Sequence, residues 1–348
     1  MKGDNQNFET IVKKYPEVNF LQSPEYAKMN EILGDKVIVE NFKGKGHALM
    51  IVRKAKRGRY LEIPCGPLSD WYDIKAIKQI FKRIAEIGKS EHCVFVRVRP
   101  QLAATPENLK LLEGLGLRKS PMHLAAEHTV MLDLKRSETE LLADMRRQTR
   151  YEVRRADKLG VVVEKSNSEE TFKEFHRVQL KTAKRQGFVP PNLKVLMAER
   201  EAFGDNIWIY VAKTGEPKEV TNGNEAPKDS PQNMGSEPIA YGLIIGSGRE
   251  ADYYEAASTD LNRKLPGAYA LLWRAIRDLK VAGYERFNLW GIAPAGQPNH
   301  RYAGVTTFKT GFGGEVIEYV PAHDLVLSKI GYLKDYIVEV VRKKRRHL

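Results

Sequence analysis

The sequence predicts an α/β protein of two units, each with a mixed, twisted sheet flanked by helices. Three observations support this fold class. The 348 residues are enough for two cores. Short runs of β-branched and aromatic residues alternate with segments whose apolar residues recur at helical spacing. The order strand, helix, strands, helix, strand occurs twice, without residue-level identity between the halves, so any repeat is architectural.

The first unit begins with short strand-like runs that end at Gly, Pro or charge. They are KVIVENF, HALMIVRKA, RYLEIPCGPL and HCVFVRVRP. Tyr72 to Lys89 has an apolar face at helical spacing and predicts an amphipathic helix that covers the sheet. That face consists of Ile74, Ile77, Phe81, Ile84 and Ile87. A helix at Pro106 to Leu115 and a strand in AEHTVMLDL complete the unit.

A long linking helix is predicted from Ser137, which forms a capping box with Glu140, to Gly160. In the second unit, five segments predict strands: VVVEKS, NIWIYVAKT, EPIAYGLIIGS, EADYYEAAST and YERFNLWGI. Two helices are predicted as well. One follows VVVEKS and ends at Gly187, and the other is GAYALLWRAIRDLKVAG. We expect one domain at 1–136 plus 320–348 and a second at 137–319. Residues 214–238 are rich in Gly, Pro, Asn, Ser and charge and predict a flexible hairpin insertion.

Composition limits the function classes. The net charge of +13 and pI near 9.5 favour a polyanionic partner: nucleic acid, a nucleotide-linked substrate or an anionic membrane surface. A merely basic soluble surface is the alternative. Mean hydropathy is −0.46, and neither a secretory signal nor a membrane-length apolar run is present, so we expect a cytoplasmic protein. The two cysteines predict neither a metal site nor a disulfide framework.

Two segments concentrate basic charge. In the linking helix, cations recur every four residues, which suits a phosphate backbone; a solvated surface helix, screened by Asp144, Glu152 and Asp157, is the alternative. Nucleic-acid phosphate contact is predicted for Arg146, Arg147, Arg150, Arg154 and Arg155. The C-terminal LSKIGYLKDYIVEVVRKKRRHL is an amphipathic helix with five consecutive basic residues, suited to anionic lipid or RNA phosphate.

One lysine stands out in HRYAGVTTFKTGFGGEV. Lys309 lies between Phe308 and a run of glycines, and the β-branched residues before it predict a stiff strand that enters a flexible turn. No hydrolytic motif, P-loop or dinucleotide fingerprint occurs. The turn at LPGAYALLW opens a helix after a strand, as in acyl-CoA-dependent N-acetyltransferases, but its single Gly267 is a poor cradle for a pyrophosphate.

Taken in order, five blocks resemble the FemABX family of aminoacyl-tRNA-dependent transferases, which add amino acids to the stem peptide of peptidoglycan precursors. The blocks are FLQSPEYAKM, IPCGPL, RRQTRYEVRRADKLGV, AYALLWRAIRDLKVAGYERFNLWGI and FKTGFGGE. The resemblance spans nearly the whole chain. It implies two N-acetyltransferase (GNAT)-like domains packed together. Because no segment matches the long helical arm of some members, we expect a FemX-like form without it.

The resemblance also implies site residues. Lys28 matches a lysine that contacts the precursor's diphosphate, and Tyr26, Gly66 and Pro67 stand in the same blocks and are assigned to substrate binding with it. Lys309, with Phe308 beside it, matches the lysine tied to catalysis. Its ammonium either stabilises the oxyanion formed when an amine attacks an ester or holds the terminal phosphate of tRNA; a surface lysine in a hairpin is the alternative.

Two departures from the family pattern matter. Arg99 stands where the family often has an acidic residue, so that carboxylate cannot be the general base here. After AKRQG the chain reads FVPPNLKV, and Arg185 or Lys194 would replace missing contacts to the sugar nucleotide. We therefore assign Arg185 to substrate binding. Tyr254 and Glu255 in DYYEAAS are the candidates to line the acceptor channel, with Glu255 as proton acceptor.

The expected activity is transfer of an amino acid from aminoacyl-tRNA to an amine of a peptidoglycan precursor, building the interpeptide bridge. The acceptor is either UDP-linked (UDP-MurNAc-peptide) or lipid-linked (lipid II), and peripheral contact with the inner membrane surface is compatible with the basic C-terminus. An activated ester needs positioning and charge stabilisation, and no metal or small cofactor. Two alternatives stay open: a GNAT-like N-acyltransferase that uses a different acyl donor, and a non-catalytic RNA-binding protein.

Overall fold

The computed structural model describes residues 8, 10–15, 17–55, 58–215 and 236–346. They form two compact units: the described parts of Met1–His128 with Ile317–Leu348, and of Thr129–Val316. Each unit contains one mixed sheet flanked by helices, so the predicted fold class is confirmed. Among the described helices, none has the length and apolarity needed to cross a bilayer.

The first unit has the sheet order β1-β2-β3-β5-β14-β6, with β4 paired to β2. Its helices are α1 (Pro24–Ile32), α2 (Ile74–Ser90), α3 (Pro106–Gly114) and α10 (Lys329–Arg346). Its strands are β1 (Lys36–Asn41), β2 (Gly46–Ala55), β3 (Gly58–Pro64), β4 (Leu68–Ser69), β5 (Cys93–Arg99), β6 (Arg118–Lys119) and β14 (His323–Val326). Four of the five residues of the predicted apolar face of α2 are buried in the core with residues of β2, β3 and β5: Ile77, Phe81, Ile84 and Ile87. Ile74, at the start of the helix, is exposed.

The second unit has the sheet order β13-β7-β12-β11-β10-β9-β8. Its helices are α4 (Glu138–Asp144), α5 (Arg147–Lys158), α6 (Glu169–Gln186), α7 (Leu193–Phe203), α8 (Gly267–Val281) and α9 (Ala303–Thr310). Its strands are β7 (His128–Asp133), β8 (Val162–Ser166), β9 (Ile207–Lys213), β10 (Pro238–Ser247), β11 (Glu250–Ser258), β12 (Arg286–Gly291) and β13 (Glu315–Glu318). Helices α6 and α10, of 18 residues each, are the longest that the structure describes.

The predicted linking helix is not continuous. It consists of α4 and α5, separated by Met145 and Arg146, whose ψ angles of 145° and 143° are extended. The predicted capping box at Ser137 is present at the start of α4. The break buries the Met145 side chain in the core, and the Arg146 N–H donates to the carbonyl of Gly311, 2.8 Å away. Tertiary contacts therefore replace two residues of helix that the sequence pattern continues.

One domain boundary differs from the expected one, and most of the predicted insertion lies outside the described residues. Strand β7, which the sequence places in the first domain, pairs antiparallel with β12 in the second sheet. Of the predicted insertion at 214–238, residues 216–235 lie outside the described part of the chain. Its described ends meet between β9 and β10, where the Thr214 N–H donates to the Glu237 carbonyl at 2.9 Å.

Candidate active site

The central strands β11 and β12 of the second sheet run parallel and then diverge. Their pairing covers three residue pairs and ends at Asp252 and Asn288. Beyond that point the rings of Tyr254 and Trp290 lie edge to face with centroids 5.3 Å apart. Divergent strands expose backbone groups and side chains that a continuous sheet would pair. The predicted catalytic residues of the second unit lie around this divergence.

Lys309 does not lie on a strand. It occupies the last turn of α9, so the predicted strand is wrong. The threonines that suggested a strand are accommodated because their hydroxyls donate to carbonyls four residues earlier: Thr306 Oγ1 to Tyr302 and Thr310 Oγ1 to Thr306, each at 2.8 Å. Local β preference is therefore overridden by side-chain hydrogen bonds and by packing.

The glycines after Lys309 allow this turn to pack closely against α5 and β7. A Cβ on Gly311 would lie 2.3 Å from Thr149 Oγ1, and one on Gly314 would lie 2.5 Å from the Met131 carbonyl oxygen. Gly313 and Gly314 both have φ of 82°, a conformation that side chains disfavour. The turn is thereby held against α5 and β7, which fixes the end of α9 and the position of Lys309.

The Lys309 amine is buried and has a defined partner. The residue is 8% exposed, and its Nζ donates to the Gly291 carbonyl at 2.9 Å. Nζ also lies 5.8 Å from the centroid of the Tyr253 ring. Burial lowers the pKa of Lys309 to about 7, because the charged form is poorly solvated there. The amine therefore changes protonation state near neutral pH at the end of β12.

The backbone beside this amine is strained. Trp290 has φ of 61°, unusual for a bulky side chain, and the pairing of β12 with β7 is irregular between Asn288 and Gly291. Such a conformation costs of order 1–3 kcal/mol and persists only where surroundings impose it. Here the Trp290 N–H donates to Asn288 Oδ1 at 2.9 Å. This bend precedes the carbonyl that accepts from Lys309.

Phe308, assigned to catalysis with Lys309, packs in an aromatic cluster. Its ring lies 5.0 Å from Tyr269 and 5.3 Å from Phe312, edge to face in both contacts. The cluster connects α9 to α8 and to the glycine turn. Phe308 therefore positions α9 through packing.

Glu255 is partly exposed and forms an acidic pair with the buried Glu199 on the α6 and α7 side of β11. Gln179 Nε2 donates to Glu255 Oε2 at 2.6 Å. Burial raises the pKa of Glu255 to about 7, although the Gln179 hydrogen bond acts in the opposite direction. Burial also raises the pKa of Glu199, and the charge of Glu255 adds to that shift. Burial therefore disfavours the ionised form of both carboxyls.

A β-bulge in β11 places the Glu255 carboxyl and the Lys309 amine on opposite faces of the sheet. Strand β11 pairs Tyr253 with Ile244 and Glu255 with Leu243, so that Tyr254 is the extra residue. Because neighbouring residues of β10 face opposite sides of the sheet, Tyr253 and Glu255 do too. Lys309 lies beside Tyr253. The amine and the carboxyl thus flank β11 from its two faces, at the level where β12 diverges.

Three of the five predicted tRNA-binding arginines have partners within the protein. Arg150 NH1 donates to carbonyls at the end of α4, among them Ala143 at 2.7 Å. Arg146 NH2 donates to Thr310 Oγ1 at 3.0 Å. Arg155 NH2 donates to the Lys264 carbonyl at 3.1 Å. These contacts stabilise the broken linking helix and its neighbours.

Arg147 and Arg154 differ from the other arginines. Both side chains are exposed on α5, and within the described part of the chain neither forms an ion pair or side-chain hydrogen bond. They are the members of the set whose guanidinium groups are available to a phosphate.

Arg185 lies near the end of α6 and is tied to the segment after β11. NH1 contacts Asp260 Oδ1 at 2.9 Å, and NH2 donates to the Ser258 carbonyl at 3.1 Å. Asp260 also borders an open depression of about 410 Å³. The depression is lined by Glu237, Pro238, Thr259, Asp260, Leu261 and Lys264. Arg185 is therefore partly engaged, at the rim of a surface depression in the second unit.

The remaining predicted substrate residues lie in the first unit. Lys28 is exposed on α1, and the Tyr26 ring on the same helix packs edge to face against Phe20 at 6.1 Å. Gly66 precedes Pro67 in a cis peptide bond. A Cβ on Gly66 would lie 2.8 Å from the Gln22 amide carbon.

Gln22 organises this part of the first unit. Its buried amide donates to the Pro64 carbonyl at 2.6 Å and accepts from the Leu49 N–H at 2.8 Å. It thereby bridges the segment before α1 to β2 and β3. Arg99, at the position where the family often has an acid, is buried; it donates to Cys65 Sγ at 2.7 Å and lies over the Tyr319 ring. It is a packed structural cation.

Glu199, Gln179 and Trp290 lie around the site but are not among the residues predicted from the sequence. A signal existed for Glu199: it takes an inward position of α7, in step with the buried Leu196 and Phe203. A glutamate in an apolar stripe indicates either a buried partner or a raised pKa. No sequence pattern indicates the backbone of Trp290.

Two mixed sheets and a titratable amine at a divergent strand pair define the class of protein: a two-unit α/β chain with its reactive groups around β11 and β12. Comparison with known proteins identifies the family within this class. A model described as the FemAB family matches residues 4–111, 112–225 and 216–335. The chain belongs to the FemAB family, and the predicted resemblance is confirmed.

Relatives and solved structures agree with this assignment. The aminoacyltransferase FemA of Staphylococcus aureus strain MW2 is 21% identical over 321 residues, covering 73% of this chain and 76% of the relative. FemA of Staphylococcus epidermidis is 22% identical, covering 73% and 77%. The crystal structure of FemX matches with a TM-score of 0.80 at 18% identity over 96% of this chain and 98% of that one.

A more distant likeness is also found. The C-terminal domain of a putative lysylphosphatidylglycerol synthetase from Agrobacterium fabrum matches with a TM-score of 0.57 at 15% identity, covering 94% of this chain and 95% of that one. At these identities the solved structures establish a shared fold. The FemA relatives are named aminoacyltransferases, so the family is one of acyl-transferring enzymes.

Proposed function

We propose that the protein transfers an amino acid from aminoacyl-tRNA to the stem-peptide amine of a peptidoglycan precursor. The observation that carries the proposal is the buried amine of Lys309, held by the Gly291 carbonyl beside the divergent strands β11 and β12. The FemA relatives named aminoacyltransferases support the reaction class. Because aminoacyl-tRNA is a cytoplasmic molecule, the proposed site of action is the cytoplasm.

In the proposed step, the neutral amine of the acceptor attacks the ester carbonyl carbon of the donor. A C–N bond forms, the C–O bond to the terminal ribose breaks, and the ribose oxygen leaves as a hydroxyl after it receives the proton that the amine has lost. Lys309, when protonated, stabilises the oxyanion of the tetrahedral intermediate. Glu255, when ionised, accepts the proton that the attacking amine loses. A pKa near 7 for both groups suits these roles.

Each unit is assigned substrate contacts of its own in this proposal. Lys28 and Tyr26, with the Gly66–Pro67 turn, contact the precursor, while Arg147 and Arg154 contact tRNA phosphate. Tyr254 lines the acceptor channel at the divergence, and Arg185 contributes from the rim of the depression beside Asp260. Precursors that are UDP-linked or lipid-linked present the same stem-peptide amine and a diphosphate.

The decisive experiment incubates the protein with a mixture of charged tRNAs and with purified UDP-linked or lipid-linked precursor, and analyses the acceptor by mass spectrometry. The expected result is a mass gain of one amino acid residue that requires charged tRNA and is lost in Lys309→Met. Absence of any gain with every charged tRNA would overturn the proposal. A gain that requires acetyl-CoA instead would assign a different acyl donor.

A further inference from the structure

Helix α10 at the end of the first unit is packed with its polar side inward. Tyr332 and Asp335 are buried, and Glu339 is largely covered. Beneath them, buried Arg97 on β5 donates to Asp324 at 2.8 and 3.0 Å and to Glu339 at 2.7 Å. The Tyr332 hydroxyl donates to Asp324 at 3.1 Å. A charge-assisted network, instead of apolar contacts alone, therefore fixes which face of α10 meets the sheet.

The opposite face of α10 is apolar and exposed. Its members follow each other at spacings of three and four residues, which places them on one side of a helix. They are Ile330, Leu333, Ile337 and Val341, with exposed fractions of 76%, 58%, 53% and 42%. This apolar stripe is about 16 Å long at 1.5 Å per residue. Surface helices normally present the reverse arrangement, with the apolar face toward the core.

The charged residues of α10 are also divided between its two faces. Its two acidic residues, Asp335 and Glu339, both belong to the inward face. Lys329 and Lys334 are exposed beside the stripe, and Arg342 is exposed nearer the end of the helix. The sequence then continues with further basic residues to Arg346. An apolar stripe flanked only by cations is complementary to a surface that is apolar inside and anionic outside.

We propose that α10 is a membrane-surface helix that inserts its apolar stripe, shallowly and parallel to the plane, into a bilayer of anionic phospholipid. Leu333 and Ile337 enter the boundary between headgroups and acyl chains, and Lys329 and Lys334 contact lipid phosphates. A second copy of the chain is a poorer occupant, because pairing two such stripes brings the flanking cations of both copies together. Burial of four aliphatic side chains alone gives reversible binding, so anionic lipid is required as well.

The test measures co-sedimentation of the full chain with vesicles of phosphatidylcholine alone and of phosphatidylcholine mixed with phosphatidylglycerol. We expect binding to the mixed vesicles, weakened by added salt. Leu333→Ser/Ile337→Ser should lower the partition coefficient on the order of tenfold or more, because two aliphatic side chains no longer leave water. These positions are exposed, so the variant should keep the melting temperature of the parent chain.

The matched control is Val189→Ser/Val281→Ser, which removes two exposed aliphatic side chains that lie away from α10. It should bind vesicles as the parent does. Equal vesicle binding by the Leu333/Ile337 variant would overturn the proposal. So would sedimentation showing a dimer that the same substitutions dissociate, since a second copy would then occupy the stripe. Vesicle binding needs no substrate, so its outcome is independent of the proposed aminoacyl transfer.

Discussion

The Lys309 amine donates to the Gly291 carbonyl from the last turn of α9, at 2.9 Å, and is almost fully removed from solvent. A backbone carbonyl is the only hydrogen-bond partner found for it among the described residues, so the ammonium has no counter-charge in its first contacts. An unpaired buried cation is destabilising to the fold, and such groups are concentrated at functional sites.

Replacement of Lys309 by Met should lower kcat by on the order of 100- to 1,000-fold, as typically follows loss of one preorganised donor. Precursor binding should change little, because the ammonium acts mainly in the transition state. Steady-state kinetics at several tRNA concentrations provide the measurement. Full recovery of turnover at saturating tRNA would show that Lys309 only anchors tRNA. Lys181→Met, at an exposed position of α6, is the control.

Lys309 should also make stability depend on pH. The folded pKa is about 7, against an ordinary value of 10.5. Between these values the unfolded chain binds more protons than the folded chain, so stability rises with pH. The rise is about 1.4 kcal/mol per pH unit in that window. Urea unfolding of the parent and of Lys309→Met should therefore show a difference that changes with pH above 7; parallel curves would contradict the burial of a titrating amine.

Glu255 should determine the acidic limb of the pH–rate profile. If its ionised form accepts the proton, turnover falls below about pH 7 in the parent. In Glu255→Gln that limb should disappear along with most of the activity. Gln179→Met removes the hydrogen bond that favours the carboxylate, so the limb should move to higher pH. An unmoved limb in both variants would assign the proton transfer to another group.

Binding of tRNA to the basic surface of α5 should depend on the guanidinium groups of Arg147 and Arg154. In Arg147→Gln/Arg154→Gln, the slope of log binding constant against log salt for tRNA should fall by roughly one unit per lost contact. Lys181→Gln/Lys184→Gln, on exposed positions of α6, should leave the slope unchanged. Arg150→Gln should instead lower the melting temperature, because carbonyls at the end of α4 lose their donor. An unchanged slope in the first variant would remove α5 from tRNA binding.

Lys28 is exposed on α1 and is proposed to contact the diphosphate of the precursor. Such a contact lies away from the reacting amine and is present equally in the ground and transition states. Lys28→Ala should therefore raise KM for the precursor more than it lowers kcat. Lys13→Ala, on an exposed lysine in an earlier segment of the same unit, is the control. An effect limited to kcat would assign Lys28 another role.

Several features could be predicted from sequence because they depend on local patterns. The apolar spacing of Ile77, Phe81 and Ile84 requires a helix with one buried face, and the Ser137 and Glu140 pair requires a helix start. Both depend on residues within one or two turns of each other. Lys309 was likewise singled out by its neighbours in sequence, although its secondary structure was predicted wrongly.

The sequence by itself determined the two α/β units, most of their strands and helices, and the residue types available for chemistry. The tertiary structure decided the rest. It ended α4 at Asp144 because burial of Met145 outweighs two more residues of helix. It made α9 a helix against its β-branched composition, and it paired Glu199 with Glu255 across 56 positions of sequence. Local preferences amount to less than about 1 kcal/mol per residue, whereas burial and desolvation amount to several.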